Sequence, residues 1–224
     1  MFLIFDTETT GLPRDFDAPF TDTDNWPRLV QLAWQLHDDT GELLEVKNYI
    51  VRPDGFTIPF NAEQIHGIST ERAQKTGIPL QEVLSIFEEA VAKAEFAVGH
   101  NIGFDINILS CEYHRLSADT QLRELKESDT KSDLTAEFTA IEGGKGGKYK
   151  WPTLTELYEK LFNEGFDEAH NASADVEATA RVFLELVRRG IYGTKQIGKE
   201  ADFLNRFKEA NPEPFRLIGL NIQP

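Results

Sequence analysis

The sequence FLIFDTETTGL at residues 2–12 places two carboxylates at the end of a buried strand. Residues 2–6 form an apolar run with hydrophobic side chains on both faces, which is typical of a central strand. Because side chains two apart in a strand point to the same side, Asp6 and Glu8 should project together. Neighbouring carboxylates repel, so we expect a hard cation such as Mg²⁺ or Mn²⁺ between them. The alternative is a solvated strand end, which is common in a chain with 38 acidic residues.

A second segment, GHNIGFDINIL at residues 99–109, adds another carboxylate. It follows a predicted strand at residues 96–99 and places Asp105 at the start of a helix. Functional groups in open α/β sheets collect at the carboxyl ends of strands, so Asp105 should lie close to Asp6. Taken alone, Asp105 also fits a carboxylate that is favoured only by the helix dipole.

A third segment, HNASAD at residues 170–175, contains a histidine and an aspartate. His170 precedes the apolar periodicity of a predicted helix and should lie on a loop, whereas Asp175 lies in the first turns of that helix. Each residue alone fits an ordinary surface histidine or a helix-dipole carboxylate.

Together and in this order, the three segments resemble the three exonuclease motifs of the DEDDh family. This family includes the DnaQ-like proofreading subunit, RNase T and oligoribonuclease. The resemblance covers about residues 1–190, and HGIS at residues 66–69 is similar to a further short segment of the family. It implies a ribonuclease H-like α/β fold with a mixed five-stranded sheet flanked by helices. The first three strands would form an antiparallel meander, and the later strands would run parallel to the first.

The resemblance also implies a catalytic site and a reaction. Its metal ligands would be Asp6, Glu8, Asp105 and Asp175, which would hold two divalent ions, Mg²⁺ or Mn²⁺. His170 would act as the general base. The implied reaction is hydrolysis from the 3′ end of a nucleic acid, with release of 5′-mononucleotides.

Residues beside the motifs are candidates for holding the terminal nucleotide. Backbone groups of three threonines could bind the 3′-hydroxyl, while His66 and Asn101 could touch sugar or phosphate. Leu12 could wedge against a base and Phe104 could stack on one, but both also fit core positions. The predicted substrate contacts are Thr7, Thr9, Thr10, Leu12, His66, Asn101 and Phe104.

The composition is ordinary for a globular protein, and it is compatible with an enzyme that holds only a few nucleotides at a chain end. Hydrophobic residues make up 40% of the 224 residues, and the formal net charge is −15. That charge counts against a protein that grips long nucleic acid. No apolar run approaches the roughly 18 residues that span a bilayer. Cys111 is the only cysteine, so no internal disulfide is expected, and we predict a cytoplasmic location without a secretory signal.

The remaining pattern predicts a catalytic domain at residues 1–190 and a C-terminal tail at residues 191–224. Residues 117–150 give no clear secondary structure, and GGKGGK within them is a loop by composition. Lys145, Lys148 and Lys150 could guide a nucleic-acid strand or could simply be solvated. The tail contains a possible helix at residues 201–210 that packs on the domain or extends from it. Further predicted strands lie at residues 28–36 and 42–51, and predicted helices lie at residues 62–66, 70–75, 79–94, 103–116, 153–162 and 172–189.

Several functions remain compatible with these motifs. The favoured one is proofreading or repair of DNA at a single-stranded 3′ end, with a DNA polymerase catalytic subunit as a possible partner in replication. RNA processing is the first alternative, because no reader of the 2′-hydroxyl can be assigned. A binding module of a polymerase assembly and a phosphatase for small phosphate esters are the others. The full set of acidic residues argues against an inactive module.

Overall fold

The computed structural model describes residues 1–165 and 172–216, and a five-stranded sheet organises them. The strand order is β3-β2-β1-β4-β5. β2 pairs antiparallel with both β1 and β3, whereas β4 is parallel to β1 and β5 is parallel to β4. This confirms the predicted mixed sheet and its meander. The strands are β1 (Phe2–Thr9), β2 (Leu29–His37), β3 (Leu43–Ile50), β4 (Phe96–Gly99) and β5 (Lys126–Asp129).

Helices cover both faces of the sheet, and most of them begin or end within one or two residues of the predicted positions. Residues 117–150 contain one strand and one helix that the sequence pattern did not reveal, β5 and α5. β5 was missed because its sequence, KESD, has no apolar alternation and only Ser128 is buried. The helices are α1 (Phe60–His66), α2 (Thr70–Thr76), α3 (Leu80–Val91), α4 (Ile102–Arg115), α5 (Asp133–Thr139), α6 (Leu154–Phe162), α7 (Ala172–Arg188), α8 (Thr194–Ile197) and α9 (Ala201–Ala210).

The alternation of β1 divides the core into two hydrophobic clusters. Phe2 and Ile4 pack with α6, α7 and α9 on one face of the sheet. Leu3 and Phe5 pack with α3 and α4 on the other face. The period of two therefore sends the side chains of Asp6 and Glu8 toward the α7 face, and that of Thr7 toward the α4 face.

β1 extends further than predicted and carries both acidic residues inside the strand. Its pairing with β2 continues to Thr9, with a register shift after Glu8. Its pairing with β4 stops at Ile4 opposite Val98. The second half of β1 is therefore bordered by a strand on one side only, and this leaves room beside it for the first turn of α4.

Part of the predicted tail packs against the predicted domain. Phe203 and Phe207 of α9 are buried in the cluster that lies between the sheet and α7. Asn211 donates to the Thr40 carbonyl at 2.7 Å, which connects the end of α9 to the turn between β2 and β3. A domain boundary at residue 190 stays a prediction. Among the described residues, no helix has the length and apolar character required to cross a membrane.

Replacing Phe207 by alanine tests whether α9 is part of the folded unit. Phe207 is 1% exposed, so we expect Phe207→Ala to lower the free energy of unfolding by about 3–5 kcal/mol. Leu44 is 49% exposed, and Leu44→Ala is the control, with an expected change within about 0.5 kcal/mol. Urea denaturation measures both changes, and equally small losses would show that α9 is dispensable.

Candidate active site

Three carboxylates meet where the second half of β1 faces the start of α7. One oxygen each from Asp6, Glu8 and Asp175 lies within 4.8 Å of the others. The strand alternation aims the first two side chains at α7, and Asp175 lies in the first turn of that helix. Within residues 1–165 and 172–216, this is the only group of three or more such side chains that is close enough to hold a metal ion.

Asp105 enters the site from the opposite face and occupies the space that β4 leaves beside β1. Its Oδ1 accepts a hydrogen bond from the Thr7 backbone N–H at 3.0 Å and another from the Thr7 hydroxyl at 2.6 Å. The side chain of Asp105 thus takes the place of a neighbouring strand for this backbone group. Asp105 is buried, and its negative charge acts on both Asp6 and Glu8.

Burial and mutual repulsion shift the pKa values of these carboxylates upward. Burial raises the pKa of Asp6 well above its usual value, and repulsion from Asp105, Asp175 and Glu8 adds smaller contributions. The pKa of Glu8 is raised to about 8, chiefly by burial and also by repulsion from Asp175 and Asp105. Burial also raises the pKa of Asp105 to about 7, although the hydrogen bonds from Thr7 oppose the shift. A bound cation would remove most of this repulsion.

These side chains fit a hard divalent ion. Carboxylate oxygens are the ligands that Mg²⁺ and Mn²⁺ prefer, and here they converge in a partly desolvated pocket. The raised pKa values are those expected of a cluster that stays ionised near neutral pH only when a cation joins it.

A further carboxylate, Asp129 at the end of β5, supports the turn that leads to Asp105. Its Oδ1 accepts hydrogen bonds from the backbone N–H groups of Asn101 and Lys131, both at 2.8 Å. Asn101 has a left-handed backbone with φ 77°, and α4 begins at the next residue. Sequence reasoning missed Asp129 because β5 gave no strand pattern.

His100 fastens the same turn to two other segments. Its Nδ1 lies 3.0 Å from the Thr130 hydroxyl, and its Nε2 lies 3.1 Å from the Pro152 carbonyl. Burial lowers the pKa of His100 to about 4, so the ring is neutral near pH 7. The turn between β4 and α4 is therefore held by hydrogen bonds to the segments at Thr130 and Pro152.

The predicted threonine contacts lie along the rim of the carboxylate cluster. The Thr9 hydroxyl donates to the Gly11 carbonyl at 2.6 Å. The Thr10 hydroxyl accepts from the Arg28 backbone N–H at 3.0 Å, which ties the loop after β1 to the start of β2. The Thr9 and Thr10 side chains thus shape the loop after β1, whereas the Thr7 side chain binds Asp105. Contact of the three backbones with substrate stays a prediction.

The remaining predicted contacts differ in exposure. Leu12 is 73% exposed, so the alternative of a core position is wrong for it. Phe104 is half-buried, with its ring centroid 6.4 Å from that of Trp26, and it packs against the α4-side cluster. Asn101 is exposed.

His66 is buried, and its Nδ1 accepts from the Ile68 N–H at 3.1 Å. Burial lowers the pKa of His66, and a hydrogen bond with the Thr9 carbonyl opposes this shift. The His66 ring therefore lies beside the rim threonines, and its contact with substrate stays a prediction. His170, the predicted general base, lies outside the described residues.

Comparison with known proteins decides the family of this chain. The model of the RNase_T exonuclease family matches residues 3–183. The chain belongs to this family of DnaQ-like 3′–5′ exonucleases. The result confirms the family that the three motifs predicted, and the family uses divalent metal ions.

Two curated relatives are much longer than this chain. The 3′–5′ exonuclease DinG of Bacillus subtilis (strain 168) is 30% identical over 192 residues, which cover 84% of this chain and 18% of DinG. DNA polymerase III PolC-type of Staphylococcus aureus is 26% identical over 231 residues, which cover 99% of this chain and 14% of the polymerase. The chain therefore corresponds to a small part of each.

Solved structures confirm the ribonuclease H-like fold. E. coli Exonuclease I in complex with a dT13 oligonucleotide aligns with a TM-score of 0.64 and 20% identity, over 88% of this chain and 42% of that chain. A moderately thermophilic Exonuclease I from Methylocaldum szegediense aligns with a TM-score of 0.63 and 22% identity, over 91% and 42%. Both likenesses are in the fold.

The stability of the metal-free protein should depend on pH through Glu8. A carboxyl group whose pKa is raised on folding stabilises the native state at low pH, and this contribution is lost as pH rises through the folded value. For Glu8 the loss should run from about pH 5 to about pH 8. In EDTA, Glu8→Gln should therefore become more stable than wild type across this window, by on the order of 2–4 kcal/mol. Urea denaturation at several pH values measures the difference.

Glu71→Gln is the control for this measurement, because Glu71 is an exposed acidic residue on α2. The free energy of unfolding of Glu71→Gln should equal that of wild type at every pH. Parallel curves for wild type and Glu8→Gln would mean that the carboxyl group of Glu8 is not desolvated by the fold.

The hydroxyl of Thr7 should matter for metal affinity because it orients Asp105. Thr7→Val keeps the shape of the side chain and the backbone donor but removes the 2.6 Å hydrogen bond. We expect Mn²⁺ to bind about tenfold more weakly, and Thr7→Ser to restore most of the affinity. Isothermal titration calorimetry measures the dissociation constants of wild type, Thr7→Val and Thr7→Ser. Equal constants for wild type and Thr7→Val would show that the hydrogen bond is irrelevant to metal binding.

Proposed function

We propose that this chain is the catalytic domain of a metal-dependent exonuclease that shortens single-stranded DNA from the 3′ end and releases 5′-mononucleotides. The observation that carries the proposal is the carboxylate cluster of Asp6, Glu8 and Asp175, with Asp105 beside it, in a chain of the RNase_T family. The cluster lies at the C-terminal end of β1, where the 3′ end of a nucleic acid can enter.

In this proposal, Asp6, Glu8, Asp105 and Asp175 are the ligands of two divalent ions, Mg²⁺ or Mn²⁺. Such ions, when bound, stabilise the charge that develops on the attacking and leaving oxygens of a phosphodiester. The four side chains come from both faces of the sheet, so the fold determines where the scissile phosphate must lie.

His170 is the general base of the proposed reaction. A histidine with an ordinary pKa of about 6.5 can accept a proton from water near neutral pH. The water oxygen forms a bond to phosphorus as the bond to the 3′-oxygen of the preceding nucleotide breaks. That oxygen takes up a proton, and the products are a 5′-mononucleotide and a chain with a new 3′-hydroxyl.

The proposed pocket for the terminal nucleotide lies between the loop after β1 and the start of α4. Leu12 is exposed there and supplies an apolar wedge for a base, while Asn101 offers an exposed amide. His66, which lies beside Thr9, is the proposed polar contact to sugar or phosphate. Phe104 supports this pocket from the α4 side, with part of its ring accessible.

DNA is the proposed substrate because the relatives point to it. DinG is named as a 3′–5′ exonuclease, PolC-type is a DNA polymerase, and the aligned Exonuclease I holds a dT13 oligonucleotide. The match to the polymerase over 99% of this chain supports proofreading beside a polymerase catalytic subunit, and repair is the alternative DNA role in this proposal. A cytoplasmic location belongs to the same proposal.

Matched 5′-labelled DNA and RNA oligonucleotides test the reaction. With Mg²⁺ or Mn²⁺ we expect a ladder that shortens from the 3′ end, faster on DNA, and no ladder with EDTA. Asp6→Asn and His170→Ala should each reduce the rate by at least about a hundredfold, because each removes a ligand or the base.

Lys93→Gln is the control variant, because Lys93 precedes β4 at the sheet edge opposite the cluster and should leave the rate unchanged. Faster cleavage of RNA would replace the DNA role with RNA processing. A folded, metal-binding protein that leaves both oligonucleotides intact would overturn the exonuclease proposal.

A further inference from the structure

The loop at residues 143–151 presents positive charge and aromatic rings on a strongly acidic protein. Its sequence, GGKGGKYKW, alternates lysines with two aromatic side chains in a chain whose net charge is −15. Lys145 and Lys148 are exposed, and neither forms a salt bridge with any described residue. Tyr149 is 45% exposed and Trp151 is 51% exposed. Lysines interleaved with exposed rings are what a single strand of nucleic acid binds.

Backbone contacts hold this loop in one shape. The Lys150 N–H donates to the Ile141 carbonyl at 2.9 Å. Gly144 packs so closely on the returning backbone that a Cβ atom there would lie 2.3 Å from the Tyr149 carbonyl oxygen. Gly146 adopts a φ of 68°, which a side chain would disfavour. The loop therefore presents its side chains from a defined backbone.

Two of the neighbouring acidic residues act as anchors for the loop. The indole N–H of Trp151 donates to Asp133 at 2.7 Å, and Lys150 pairs with Glu156 at 2.7 Å. These contacts fix one edge of the indole ring and leave half of its surface open. The ion pair of Lys150 with Glu156 also offsets one negative charge that would repel a phosphate chain.

The loop lies at the same edge of the sheet as the carboxylate cluster. Pro152, which follows Trp151, is held through its carbonyl by His100, and His100 precedes the turn into α4 that carries Asp105. Lys131 lies beside His100 and lowers its pKa through its positive charge. One cationic side chain, that of Lys131, therefore lies between the neighbourhood of the cluster and the loop.

A groove next to the loop is large enough for part of a nucleic-acid strand. Its volume is about 500 Å³, and Lys145, Lys148, Tyr149 and Trp151 contribute to its wall together with Asp133. This volume is in the range of sites that bind organic ligands of nucleotide size.

We propose that the loop at residues 143–151 is a second binding site for single-stranded nucleic acid, which holds the strand upstream of the 3′-terminal nucleotides. Lys145 and Lys148 contact phosphates, while Tyr149 and Trp151 stack on bases. The site makes cleavage depend on strand length, since a very short strand reaches the carboxylates but not the loop. This inference rests on the proposed exonuclease function, but binding to the loop is measurable without cleavage.

The fluorescence of Trp151 tests binding directly. Of the three tryptophans, Trp26 and Trp34 are buried, so Trp151 is the one that a ligand can quench. With the Asp6→Asn protein in EDTA, a dT12 oligonucleotide should quench the emission and dT3 should not. Trp151→Phe should remove the signal, and Lys145→Gln/Lys148→Gln should weaken dT12 binding about tenfold while lowering its salt dependence by a slope of about 1.4.

A charge-matched control is available at the opposite edge of the sheet. Lys93 precedes β4, and Lys208 lies in the last turn of α9, which contacts the turn between β2 and β3. Lys93→Gln/Lys208→Gln changes the net charge equally and should leave dT12 binding unchanged. Equal weakening by both double variants, or quenching by poly-glutamate as strong as by dT12, would overturn a nucleic-acid site, and the second result would indicate an acidic protein partner.

Kinetics separate this inference from the proposed function. We expect the metal-loaded loop variant, Lys145→Gln/Lys148→Gln with Asp6 intact, to cleave dT12 about tenfold more slowly than metal-loaded wild type. Its cleavage of dT3 should be unchanged. If wild type cleaves neither substrate, the exonuclease proposal fails and the fluorescence titration alone decides the loop. If wild type cleaves both and the loop variant cleaves both at the wild-type rate, the loop proposal is wrong.

Discussion

Repulsion among desolvated carboxylates is the constraint around which this structure is arranged. The fold brings Asp6, Glu8 and Asp175 together and adds Asp105 from the other face, and burial and mutual repulsion raise the pKa values of Asp6 and Glu8. Such an arrangement weakens the metal-free protein and strengthens its affinity for a divalent ion. The same carboxylates therefore lower the free energy of unfolding of the metal-free protein and form the candidate metal site.

A difference in strand length makes the site possible. β1 continues for several residues past the end of β4, so its second half lacks a strand neighbour on that side. The first turn of α4 fills the gap, and Asp105 accepts the backbone hydrogen bond that a strand would have accepted. Asp129 and His100 then fix the turn before α4. The Asp105 carboxylate thus accepts the hydrogen bond of the Thr7 backbone and, at the same time, lies where it can serve as a metal ligand.

The sequence predicted those features that depend on local periodicity. Alternation in β1 placed Asp6 and Glu8 on one side, and the apolar stripe of α7 placed Asp175 in its first turn. β5 and Asp129 were missed because a short strand at the edge of a sheet carries little hydrophobic pattern. The shape of the loop at residues 143–151 was also missed, since it depends on the close approach of Gly144 to the Tyr149 backbone and on the contact of His100 with the distant Pro152 carbonyl. The bond from Thr7 to Asp105 joins residues far apart in the chain and has no local signature.

Anomalous diffraction from crystals soaked in Mn²⁺ tests the central claim most directly. The claim is that the carboxylates at the end of β1 form a metal centre. It predicts strong anomalous density within coordination distance of Asp6, Glu8 and Asp175, and loss of that density in Asp6→Asn crystals. Density at other acidic side chains only, or an unchanged peak in the Asp6→Asn crystals, would contradict it.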